Sequence, residues 1–68
     1  MLFLRKAPNG KFRVIGVDTY DGENWVEGDF DTLEQATKHA YEHTKDKNML
    51  KMHVYDDTGH HRYEAGRY

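Results

Sequence analysis

The 68-residue chain predicts one α+β domain of order β-β-β-α-β-(β), a mainly antiparallel sheet with one helix packed on one face. Three observations predict it. Two Gly-containing turn signals, Asn9-Gly10 and Asp21-Gly22, punctuate stretches of alternating apolar residues. Leu33, Ala36, Thr37, Ala40, Tyr41 and Thr44 recur at helical spacing. Leu50, Met52 and Val54 then alternate with Lys51, His53 and Tyr55, the period of a strand with one wet face.

Taking both turns as two-residue hairpins sets the registers by counting. Leu4 then faces Ile15 and Leu2 faces Val17; beyond the second turn Val17 faces Val26, Ile15 faces Gly28 and Arg13 faces Phe30. Both registers agree in gathering Leu2, Leu4, Ile15, Val17, Val26 and Phe30 on one face, the expected core, because side chains alternate with period two. Asp31-Thr32-Leu33-Glu34 reads as a capping box with Asp31 as N-cap and Glu34 at N3. The stripe that follows is built of small residues, with Tyr41 as its large anchor and Asn48 as its stop. A crossover through that helix places the next strand parallel to the one before it. Asp56-Asp57-Thr58-Gly59 reads as a turn leading to an optional edge strand over 60–64, and residues 63–68 as a candidate disordered tail of the single 1–68 domain.

Composition narrows the function classes. Charged residues make up 32% and hydrophobic ones 37%, polar enough to raise disorder, but nine aromatics and periodic apolar positions in every segment argue for a fold. No cysteine is present, so no disulfide staples the chain. Met1-Leu2-Phe3-Leu4 ends at Arg5-Lys6, too short for a secretory h-region, and a cytoplasmic location is expected. Charge is segregated: residues 1–17 carry Arg5, Lys6, Lys11 and Arg13 and no acid, while residues 18–34 carry seven acids and no base. In one sheet, the basic and acidic strands would offset each other.

By the same registers, Phe3, Phe12, Val14 and Trp25 share the second sheet face, with Tyr55 and His53 extending it. A contiguous apolar cluster on a surface usually meets a partner. The expectation is a small non-catalytic protein-interaction or self-assembly module, a homodimer or the complex with another protein, working through Phe3, Phe12, Val14, Trp25 and Tyr55. The same aromatics flanked by Arg5, Lys6, Lys11 and Arg13 form the alternative of a single-stranded nucleic-acid platform. Glu27, Asp29 and the net charge of −2 argue against it, since phosphate neutralisation dominates such affinity. A second alternative is metal binding by His39 and His43, which stand at i, i+4 on the helix. Gln35 is a poor third ligand, and His60-His61 would serve only by reaching the helix. No catalytic residue, organic cofactor or membrane span is expected: the chain has no Ser or Cys, no Gly-rich phosphate loop and no long apolar run.

Phe30-Asp31-Thr32-Leu33-Glu34-Gln35-Ala36, followed by His53-Val54-Tyr55-Asp56-Asp57-Thr58-Gly59, resembles small bacterial domains of unknown function. In those a Trp- or Val-bearing strand precedes the helix, and a hairpin with an Asp-Gly turn closes the fold. The resemblance implies a strand–helix–hairpin layout over the last 40 or so residues and carries no activity or functional residue; this hairpin reads Asp-Asp-Thr-Gly instead.

Overall fold

The computed structural model describes residues 5–67. Four strands, β1 (Phe12–Asp18), β2 (Asn24–Phe30), β3 (Leu50–Tyr55) and β4 (His61–Arg67), form one sheet of order β2-β1-β3-β4, with helix α1 (Leu33–Glu42) between β2 and β3. All neighbouring pairs are antiparallel. Since β2 and β3 both run against β1, they share a direction, as the crossover through α1 requires, with β1 lying between them.

β1 is flanked on both edges, by β2 and by β3. Residues 5–11 form no strand, and the expected pairings of Leu2 and Leu4 lie outside the described residues. Asn9-Gly10 does make a turn, closed by Lys11 N–H donating to Pro8 O at 2.9 Å, but the turn leads elsewhere. Ala7 N–H donates to Asp56 O (3.1 Å) and Gly10 N–H to Asp57 Oδ2 (2.8 Å), which lays this segment against the β3–β4 turn. The Asp56 carbonyl and the Asp57 carboxylate of that turn supply acceptors that a β1 edge, already filled, cannot.

The β1–β2 connection, residues 19–23, is longer than the expected two-residue turn. Asp18 N–H donates to Glu23 O (2.8 Å) and Gly22, at φ +80°, donates to Asp18 O (2.7 Å). Asp18 and Asp21 carboxylates accept from Tyr20 and Glu23 N–H, which satisfies the wider loop. Ile15 consequently faces Val26, two residues from the expected Gly28; a shift of two preserves parity. A β-bulge then intervenes: Ile15 pairs with Val26 and Val14 with Gly28, leaving Glu27 as the extra residue, so Phe30 faces Phe12 in place of Arg13.

The helix covers the face opposite to the expected one. Its partners are Val14, Met52, Val54 and Ala65, buried with Ala36 and Ala40, and bordered by Phe12, Phe30, Leu33, Leu50 and Tyr63. Ile15 and Val26 share the other side, where Val26 is 47% exposed. Ile15, Val17 and Val26 keep a common side, but the bulge carries Phe30 from that group to the side of Phe12 and Val14, and the helix covers the latter. β3 makes that choice, because its apolar residues occupy one side only and the β1–β3 register sets Val54 against Val14 and Met52 against Gly16. The larger apolar surface therefore forms around Val14, and the helix packs there.

α1 is capped by Thr32, not Asp31: Thr32 Oγ1 accepts from Gln35 N–H at 3.1 Å, while Asp31 turns to Lys11. Ala36, Ala40 and Thr44 are buried as the stripe predicts, but Tyr41 is exposed and anchors nothing. The helix closes at Glu42, earlier than Asn48, as Thr44 Oγ1 bonds back to Ala40 O (2.8 Å). The expected tail is instead strand: β4 runs to Arg67 and buries Ala65 in the core, because its pairing with β3 satisfies the backbone. Among the described residues no helix is long and apolar enough to cross a membrane.

Candidate metal centre

The expected interaction face does not assemble. Val14 is fully buried and Phe12 packs beside it, both under the helix. Trp25 lies on that same side, its ring flat against Gly16, where a Cβ would sit 2.4 Å from Cε2. Tyr55 faces the opposite side, its ring 5.3 Å from His61 and beneath the Arg5 guanidinium at 5.7 Å. Phe3 lies outside the described residues. The aromatic platform for nucleic acid is dispersed with it. Arg13, one of its cations, is instead paired with Asp29 across the β1–β2 ladder (2.7 Å), and that carboxylate raises its pKa.

What the fold does bring together is the histidine pair of α1 and an acid from β2. Period-two alternation puts Trp25 on the helix side. The same alternation puts Glu27 there too, and the bulge at Glu27 brings Phe30 to the helix side as well, since an extra residue re-aims the side chains that follow it. Glu27 Oε1 accepts from Trp25 Nε1–H at 2.8 Å. Glu27 Oε2 accepts from His39 Nε2–H at 3.0 Å. His43, one helical turn on, stacks on His39 with ring centroids 3.9 Å apart and planes at 23°, and its Nδ1–H donates to the His39 carbonyl (3.0 Å). Phe30 closes the inner side, its ring 5.0 Å from that of His39.

Thus Glu27, His39 and His43 each offer a ligating atom within 4.8 Å of the others. The electrostatics favour a cation. Burial pushes the Glu27 carboxyl up, but the hydrogen bonds from Trp25 and His39 and the charges of His39 and His43 outweigh it, so its pKa falls below the ordinary value. The Glu27 and His39 side chains are each 22% exposed, screened from bulk water without being sealed. Beside them a shallow groove of about 400 Å3, lined by Phe30, Gln35, Lys38, His39 and Glu42 among others, leaves a path to the site.

His39 and His43 were legible from their spacing. Glu27 was not: alternation sets it on the face of Trp25, which was expected to lie away from the helix, and Gln35 was the nearest third ligand in sequence. One trace existed in Trp25-Val26-Glu27, where i and i+2 share a side and an indole N–H needs an acceptor. His60 and His61 stay away from the helix, in the β3–β4 turn and in β4.

No protein-family model, curated protein or solved structure matches this chain, so the geometry stands without a relative's function beside it.

Proposed function

We propose that this domain is a small metal-binding module, taking a divalent transition-metal ion of the zinc type at Glu27, His39 and His43. One observation supports the reading above others. Two of the three ligands are held through their non-ligating atom: Trp25 holds Oε1 of Glu27, and the bond from His43 Nδ1–H leaves the Nε2 lone pair free. Such outer bonds are what a metal-ligating carboxylate and imidazole need.

The distances suit the ion. Metal–nitrogen and metal–oxygen bonds of roughly 2.0–2.2 Å make each edge of a tetrahedron about 3.3 Å. Glu27 Oε2 and His39 Nε2 lie 3.0 Å apart, joined by a proton that the ion would displace. His43 completes the triangle by splaying from its stack on His39. With three protein ligands, the fourth position is left for water or an exogenous ligand from the groove. Imidazole and carboxylate without thiolate also suit nickel and copper, which bind such sets in the usual order of affinity.

The test is titration of metal-free protein with zinc. Saturation at a hundred times the dissociation constant adds about 2.7 kcal/mol, a rise in Tm of about 10–20 °C for a domain of this size. His39→Ala abolishes that part of the shift which belongs to this site, and Trp25 fluorescence changes as Glu27 is recruited. A titration in which His39→Ala and the parent chain respond alike, with Trp25 emission unmoved, overturns the reading.

A further inference from the structure

The face of the sheet away from the helix carries a second cluster: His53 of β3 with His61 and Glu64 of β4. Residues 61 and 64 are three apart, so on a regular strand they would point to opposite sides. The β3–β4 ladder does not stay regular. Val54 pairs with Tyr63 and Tyr55 with His61, so Arg62 is an extra residue in a bulge. That one insertion turns His61 to the side of Glu64 and His53, and it leaves Tyr63 and Ala65 in the core. Both ligand clusters of this domain thus stand at a bulge, one on each face.

The geometry is that of converging donors. His53 Nδ1 and His61 Nε2 face each other at 3.1 Å. Glu64 Oε1 lies 3.8 Å from the first and 4.0 Å from the second. These edges bracket the roughly 3.3 Å expected between ligands of a tetrahedral ion. Without an ion, two imidazole nitrogens so placed must share one proton between two lone pairs. Lys51 Nζ holds the other Glu64 oxygen at 2.7 Å, which orients the carboxylate and leaves Oε1 turned to the histidines.

We propose that His53, His61 and Glu64 form a second, independent site for a divalent transition-metal ion on the open face of the sheet. The sheet separates it from Glu27, His39 and His43, and it stands or falls without them. Its fourth position faces solvent, since His61 and Glu64 side chains are 40% and 49% exposed.

Zinc titrations of three proteins decide the matter, followed by calorimetry, Trp25 fluorescence and the histidine ring resonances. Glu27→Gln disables the helix-side site and isolates this one. In that variant zinc should still bind one equivalent, shifting His53 and His61 resonances while Trp25 emission stays constant. Adding His61→Gln, or His53→Gln as a second choice, should weaken the remaining binding by more than about tenfold. His61→Gln alone should leave the Trp25 response intact. If His53 and His61 resonances are unmoved by zinc in the Glu27→Gln protein, or if His61→Gln and His53→Gln leave its affinity unchanged, the second site does not exist. That outcome leaves the helix-side site, read by Trp25, untouched.

Discussion

Gly16→Ala tests the contact that joins the sheet to the helix-side histidines. The Trp25 ring lies so close to Gly16 that an added Cβ would stand 2.4, 2.5 and 2.6 Å from Cε2, Nε1 and Cζ2. Carbon atoms prefer roughly 3.5–4.0 Å, so the indole must withdraw by about 1 Å or more. Its 36% exposure gives it room to swing outward, and doing so pulls Nε1–H from Glu27. Overpacking of this kind costs about 1–3 kcal/mol. A lost hydrogen bond to a charged acceptor adds roughly 1 kcal/mol at a half-exposed position. Removing a glycine from a strand returns about 0.5–1 kcal/mol. The balance is a loss of about 1–3 kcal/mol, or a Tm lower by about 5–20 °C. Urea unfolding followed by Trp25 fluorescence measures both the stability and the displacement of the indole. Gly28→Ala is the control, because its Cβ would meet Phe30 at an ordinary 3.5 Å. A Gly16→Ala protein as stable as its parent, with unchanged Trp25 emission, refutes the argument that this close approach holds Glu27 in place.

Other consequences are equally open to measurement. Trp25→Phe keeps the ring on Gly16 but removes the N–H donor to Glu27; zinc affinity at the helix-side site should fall about 10- to 100-fold by calorimetry, with the fold retained by circular dichroism. Thr32→Ala should cost about 1 kcal/mol in urea unfolding while Asp31→Ala costs less, since Thr32 Oγ1 and not Asp31 accepts from Gln35 N–H. Asp56 accepts from Thr58 Oγ1, from His60 and Thr58 N–H and from Arg62, and these bonds hold its carboxyl well below the ordinary value. Its contribution is therefore present in full above about pH 4, the unfolded value, and is lost as pH falls toward and through the lower folded pKa. Asp56→Asn should flatten stability against pH below 4 and leave its slope near neutrality unchanged.

Local chemistry made much of the architecture readable. The stripe Leu33–Ala36–Ala40–Thr44 and the alternation Leu50–Met52–Val54 need only near neighbours in the chain, and both are in place. The grouping of Phe12 with Val14, against Ile15 with Val17, likewise follows from the pleat alone. Which group the helix would cover did not, because both are apolar and β1 is indifferent between them. The answer came from β3, thirty-odd residues away, whose pairing adds Met52 and Val54 to the side of Val14. The same is true of the N-terminal segment: Asn9-Gly10 bends the chain as its composition demands, but the vacancy it would have filled beside β1 is taken by a strand that arrives later.

The ligand clusters divide in the same way. His39 and His43 are one helical turn apart, and that proximity is a property of the backbone period. Glu27 joins them because the helix covers the face that alternation already gives to Trp25 and Glu27, and His61 joins Glu64 because one residue is inserted into β4. A bulge exchanges one ladder bond for better packing elsewhere, so its position depends on the balance over a whole sheet. Alternation along a strand is a local rule; the interruption that turns His61 toward Glu64, and the choice of the face that sets Glu27 beside the helix histidines, are decided by neighbours distant in the chain.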